Sequence, residues 1–126
     1  MQKEKQLHQS VCDYIKYRYP HCLFNSDLAG SMKLTIGQAT AMKRLRSNRA
    51  FPDLVLYHTN DIYHGLFLEL KAEGEVLKKK NGDYKTEHLQ EQHDMIVRLN
   101  NLGYQADFAI GIDQAIEQID NYMNLI

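Results

Sequence analysis

Apolar residues recur along the chain with two distinct periods. Near the start, Leu7, Val11, Tyr14, Ile15 and Tyr19 follow the spacing of one helix face, so an amphipathic helix is expected over residues 2–19, with Pro20 stopping it. Cys22-Leu23-Phe24 is a short apolar run that fits a strand. Residues 25–37, rich in Gly, Ser and Asn, read as an irregular loop, and a second helix is expected around residues 38–46. The period then changes to two. Residues 53–57 (Asp-Leu-Val-Leu-Tyr) and 65–71 (Gly-Leu-Phe-Leu-Glu-Leu-Lys) are strand-like, and the polar His58-Thr59-Asn60-Asp61 between them fits a turn that makes the two antiparallel neighbours.

Residues 73–85 are charged and contain Gly74 and the turn-forming pair Asn81-Gly82, which predicts an exposed loop or hairpin tip. Thr86 is a good N-cap for a helix whose inner face is Leu89, Met95, Ile96, Leu99 and Leu102, and Gly103 suits its C-terminal end. Residues 104–110 return as a strand with Tyr104, Ala106, Phe108 and Ile110 on one face. A last helix over residues 113–123 turns Ala115, Ile116, Ile119, Tyr122 and Met123 inward.

Composition narrows the class. A chain of 126 residues is sized for one domain spanning 1–126, and 44% apolar with 25% charged residues excludes a disordered or membrane-embedded chain. The N-terminal residues are polar, with no apolar run behind them to act as a signal peptide, so an intracellular, cytoplasmic location is the default expectation. Cys12 and Cys22 have no CxxC partner, and His8 and His21 complete no familiar zinc spacing, which argues against a disulfide or structural zinc.

The net charge of -1 is wrong for a general nucleic-acid coating protein, but its distribution is uneven. Residues 28–52 carry Lys33, Lys43, Arg44, Arg46 and Arg49 and no acid, whereas beyond Arg98 the only charges are Asp107, Asp113, Glu117 and Asp120. One face built for phosphates would explain the asymmetry, and so would two ordinary solvated helix faces.

Candidate chemistry sits on the two central strands. Alternation puts Glu69 and Lys71 on one face and Leu66, Leu68 and Leu70 on the other, so an apolar face would hold the polar pair rigid. Asp53, following Pro52, opens the neighbouring strand and would come within reach of Glu69. Two carboxylates with a lysine suit phosphodiester hydrolysis: hard oxygen ligands hold Mg2+, and a cation offsets charge on the phosphate. Lys71 would orient or deprotonate the attacking water, or act as a point charge. An isolated Glu-x-Lys tripeptide describes a surface ion pair equally well.

Pro52-Asp53, with Glu69-Leu70-Lys71 sixteen residues from Asp to Glu, resembles the PD-(D/E)xK nuclease superfamily. From Glu4 almost to the C-terminus the chain is similar to its compact VRR-NUC branch. It has Glu4 in the first helix, with His8 where Gln is usual. Pro52-Asp53-Leu54 follows, then a strand started by Gly65 and ended by Glu69-Leu70-Lys71, then Gln92 in the next helix, and finally Gly111-Ile112-Asp113. The resemblance implies an α/β fold: a restriction-endonuclease-like core with a small central mixed sheet flanked by helices, in α-β-β-α-β-α order. It implies that Asp53, Glu69 and the Leu70 carbonyl bind Mg2+, with Mn2+ able to substitute, and that Glu4 completes the shell or binds a second ion. Lys71 would be catalytic, and Gln92 would orient the lysine or the water.

Glu4 near a terminus and Gln92 within Gln90-Glu91-Gln92-His93-Asp94 are also compatible with plain exposure. His58, His64, His88 and His93 are available as acids or bases, though the resemblance does not need them. Two departures stand out. Arg49-Ala50-Phe51 replaces a glycine common ahead of the Pro-Asp-Leu strand, and the loop with Lys78, Lys79, Lys80 and Lys85 is longer and more basic than usual. That loop either meets phosphates or is a solvated charge run.

By resemblance, stand-alone members of this branch, such as those of phages, act as homodimers on branched DNA such as four-way junctions. The expected activity is therefore a Mg2+-dependent endodeoxyribonuclease, structure-selective and resolvase-like. A nicking, flap or restriction-like nuclease is the alternative within the enzyme class. A non-catalytic DNA-binding module on the same scaffold is the alternative outside it.

Overall fold

The computed structural model describes residues 2–27 and 33–125, so residues 28–32 of the expected loop lie outside the described residues. The elements in chain order are α1 (Gln2–Arg18), β1 (Phe24–Ser26), α2 (Ile36–Arg44), β2 (Leu54–Leu56), β3 (Leu66–Lys71), α3 (Glu87–Asn101), β4 (Gln105–Ile110) and α4 (Gly111–Met123). The strands form one mixed sheet in the order β1-β2-β3-β4. β1 and β2 pair antiparallel, as do β2 and β3, while β3 and β4 run parallel with α3 as the connection between them. This is the α/β architecture anticipated, with β1 and α2 as short additions to the condensed element order.

The alternation on β3 explains the layering. Leu66, Leu68 and Leu70 face a core shared with Leu7, Val11 and Ile15 of α1, Leu54 and Leu56 of β2, and Ala115, Ile119 and Tyr122 of α4. On the other face, Phe67 joins Met95, Ile96 and Leu99 of α3 and Ala106, Tyr104 and Phe108 around β4. α1 and α4 are tied by two tyrosines: Tyr14 and Tyr19 both donate to Asp120 Oδ1, at 2.6 and 2.7 Å. That clamp fixes the position of α1, and with it the two side chains that α1 sends toward the site.

Several boundaries differ from expectation for local reasons. β1 begins at Phe24 and not Cys22, because Cys22 N–H bonds Tyr19 O at 2.9 Å in the turn after the helix. α2 starts two residues early on a capping box: Thr35 accepts from Gln38 N while the Gln38 side chain accepts from Thr35 N. Leu102 is exposed, not inward, since it caps α3 with its N–H on Arg98 and Leu99 carbonyls and so leaves the apolar stripe. Thr86 does cap α3, accepting from Leu89 N at 3.1 Å, and Gly103 follows at φ 96°, a left-handed conformation that favours glycine. Residues 73–85 form a small hairpin closed by the Lys78–Tyr84 bridge. No helix among the described residues is long and apolar enough to cross a membrane.

Candidate active site

The register of β2 against β3 pairs Leu54 with Leu68, so one step further along places Asp53 opposite Glu69 on the face that Phe67 shares. β2 ends there. The N–H of Leu70 is left without a strand partner on that side, and Asp53 Oδ1 accepts it at 2.9 Å. Within a strand a residue's N–H and C=O turn to the same neighbour, so the Leu70 carbonyl faces the same edge as its N–H. Glu69 and Lys71 emerge together, as alternation requires, with Lys71 Nζ 3.9 Å from Glu69 Oε2. Both are buried, at 6% and 7% exposure, which sets them apart from a surface ion pair.

Burial, reinforced by the Asp53 charge opposite, pushes the Glu69 carboxyl up to about 9. Lys71 pulls in the other direction, while a hydrogen bond with Asp53 and the charge of Glu4 add to the rise. Two carboxyl groups therefore share a space that only partly neutralises them.

α3 covers this pair. Of the polar run from Gln90 to Asp94, Gln92 alone is buried, at 6% exposure. Its Nε2 lies 3.2 Å from His88 Nε2, one turn earlier, and its Oε1 has no hydrogen-bond partner. A buried acceptor left open is costly, about 1–3 kcal/mol, unless something outside the protein fills it. Glu4, half-buried on α1, lines the same cleft, which measures about 310 Å³ and is bounded also by Asp27, Arg46, Pro52 and His88.

His8 stood out in the sequence only as replacing a usual Gln, and no role followed from that. It lies one helical turn beyond Glu4, is 3% exposed, and holds Asp53 Oδ2 at 3.2 Å through Nε2 while Nδ1 meets Ser26 Oγ. The i, i+4 relation to Glu4 was the available signal. Its partners were not visible, because they come from β1 and the start of β2.

The basic residues fall into two stretches. Lys43, Arg46 and Arg49 line a second groove of about 500 Å³ with Ala39 and Met42, and it joins the cleft at Arg46 and Ala50. Arg46 also pairs with Asp27 at 2.6 Å, and Arg49 with Glu91 at 3.6 Å. Lys33 and Arg44 are exposed nearby in sequence. Lys78, Lys79, Lys80 and Lys85 are exposed on the hairpin, with Lys78 Nζ 5.1 Å from the centre of the Tyr84 ring. Ala50 sits at φ 67°, left-handed, at the place where the resemblance leads one to look for glycine.

A mixed sheet flanked by helices, with an Asp and a Glu-x-Lys pair meeting at the end of its central strands, defines a restriction-endonuclease-like α/β architecture. No protein-family model and no curated protein matches the sequence. Among solved structures, one described as a VRR_NUC domain protein superposes with a TM-score of 0.69 at 25% identity, covering 98% of this chain and 89% of that one. The chain has the VRR-NUC fold, a nuclease-family architecture.

Proposed function

We propose that this protein is a metal-dependent DNA endonuclease that hydrolyses phosphodiester bonds in the cleft between β2, β3 and α3. The observation that carries the reading is the convergence there of Asp53, Glu69 and Lys71, all on one face of the sheet, with the unpartnered Oε1 of Gln92 beside them.

The donor set fits Mg2+. Among the described residues no three His, Cys, Asp or Glu side chains are grouped to hold an ion by themselves. Mg2+ does not need such a cage, since it takes one or two carboxylates and fills its remaining positions with water and substrate phosphate. Asp53, Glu69 and the Leu70 carbonyl would hold it, with Glu4 alongside from α1, and Mn2+ would substitute. Such an ion supplies acidification of water and neutralisation of the charge that develops on phosphate.

The chain's own groups do the rest. Lys71, held beside Glu69, presents a point cation to the scissile phosphate or orients the incoming water. Gln92 Oε1 accepts a hydrogen bond from that water, which removes its orphaned state. Arg46, at the junction of the two grooves, and Lys43 and Arg49 beyond it track the phosphate backbone, with Lys33 and Arg44 on the same stretch. Lys78, Lys79, Lys80 and Lys85 on the hairpin offer a second set of phosphate contacts. The substrate favoured is branched DNA cut by a homodimer, because two-fold symmetry would let so short a chain cut two strands.

Mg2+- or Mn2+-dependent cleavage by the wild type, Asp53→Ala, Lys71→Ala and Gln92→Leu tests the site. Asp53→Ala and Lys71→Ala should abolish cutting, and Gln92→Leu should slow it by about 10²-fold while the protein stays folded. Cleavage indifferent to Asp53 or Lys71 would place the chemistry elsewhere. A supercoiled plasmid, a flap and a four-way junction compared side by side decide the substrate, and equal cutting of all three rules out junction selectivity.

A further inference from the structure

We propose that His8 is the positioning residue for the Asp53 carboxylate, a role that rests on reading Asp53 as a metal ligand. An ionised carboxylate only accepts, so the 3.2 Å contact between Asp53 Oδ2 and His8 Nε2 requires the proton on Nε2. In the neutral ring Nδ1 is then the acceptor, and the Ser26 hydroxyl lies against it to donate. The carboxylate thus sets the tautomer, and Ser26, which can donate or accept, satisfies Nδ1 in it and holds the ring in place.

The hold is mechanical as well as chemical. Ser26 is paired in register with Leu54, the residue after Asp53, and Asp27 N–H bonds Asp53 O at 2.6 Å. The imidazole is therefore pinned between α1 and the β1–β2 pair, with α1 itself clamped to α4 through Tyr14, Tyr19 and Asp120. At 3% exposure the ring is itself screened from solvent.

Asp53 is gripped at both oxygens: Leu70 N–H on Oδ1 at 2.9 Å and His8 on Oδ2. Two-point gripping stops the carboxylate rotating about its last bond and directs its remaining lone pairs. Without His8 one oxygen is released, the carboxylate turns, and an ion loses a preset ligand. Removing an orienting partner of this kind typically weakens metal affinity about 10–100-fold.

Mn2+ titration of the full chain by calorimetry, with folding checked by circular dichroism, separates this role from a packing role. Asp53→Asn should lose Mn2+ binding. His8→Phe fills the space of the ring with no donor and should bind Mn2+ about 10–100-fold more weakly, with kcat recovering at saturating Mn2+. His8→Gln returns an N–H donor of similar reach and should bind within a few-fold of wild type. Wild-type Mn2+ affinity in His8→Phe, with binding lost in Asp53→Asn, would overturn the role of His8 and leave the metal site standing. Binding untouched by Asp53→Asn would overturn both. If His8→Phe does not fold, Ser26→Ala reads the same coupling: a few-fold loss of Mn2+ affinity supports it, and unchanged affinity overturns it.

Discussion

Asp53 Oδ1 accepts the backbone N–H of Leu70 at 2.9 Å, so one carboxylate both faces Glu69 and completes the hydrogen-bond ladder where β2 stops. Leu70 is fully buried, and its N–H has no water to turn to. Asp53→Ala strands that donor at a cost of about 1–3 kcal/mol, whereas Asp53→Asn keeps an oxygen in place. Both remove the same charge from beside Glu69 and both give up the acceptor facing His8 Nε2, so the difference between them reads the Leu70 bond together with the amide's own contact to His8. Thermal melts in EDTA should rank Asp53→Asn above Asp53→Ala, and equal melting temperatures would mean that the retained oxygen gives no net stability.

The buried Glu69 makes metal-free stability depend on pH. Burial, with Asp53 opposite, raises its folded carboxyl to about 9, from 4.5 for the free group. The folded chain therefore retains a proton that the unfolded chain gives up between those values. The associated stability is complete below 4.5, declines as pH rises and is gone past about 9. Denaturant melts in EDTA between pH 5 and about pH 9 should show this loss in the wild type and a flatter profile in Glu69→Gln. With Glu69 as the proposed metal ligand, added Mg2+ should oppose this slope, since binding requires the deprotonated carboxylate and its stabilisation grows with pH. Identical profiles for the two proteins without metal would contradict the assignment.

Ala50, at φ 67°, bears a conformation that costs an L-residue roughly 1–2 kcal/mol. Glycine removes that strain but adds about 0.5–1 kcal/mol of unfolded-state entropy. Ala50→Gly should raise the melting temperature by a few degrees and leave Mn2+ affinity alone, whereas Ala50→Val should lower it. A lower melting temperature for the glycine variant would show that the loop is not strained at this residue.

How much of this was readable in advance follows from what each feature depends on. The alternation of β3 is a local pattern, and it carried the partition of Leu66, Leu68 and Leu70 from Glu69 and Lys71 without error. The Thr86 cap and the Gly103 stop were legible because the chemistry of each belongs to one residue. Leu102 was misjudged because its periodicity was right but the helix had ended. His8 was placed in the motif, but its role was missed for a different reason. Its meaning lies in Ser26 and Asp53, which only the pairing of β1 with β2 brings to it. Gln92 was distinguished from its neighbours by motif spacing, and burial supplied the physical ground: it alone among those five residues leaves solvent.

α2 contributes no buried residue, although the groove it borders adjoins the cleft through Arg46 and Ala50. Exposed substitutions of this kind usually shift stability by no more than about ±0.5 kcal/mol. On the proposed function, preference for one shape of nucleic acid over another could therefore drift, or be engineered, along Lys43, Arg44 and their neighbours while the half carrying Asp53, Glu69 and Lys71 is held constant. Selectivity and foldedness would then be separable traits in this chain.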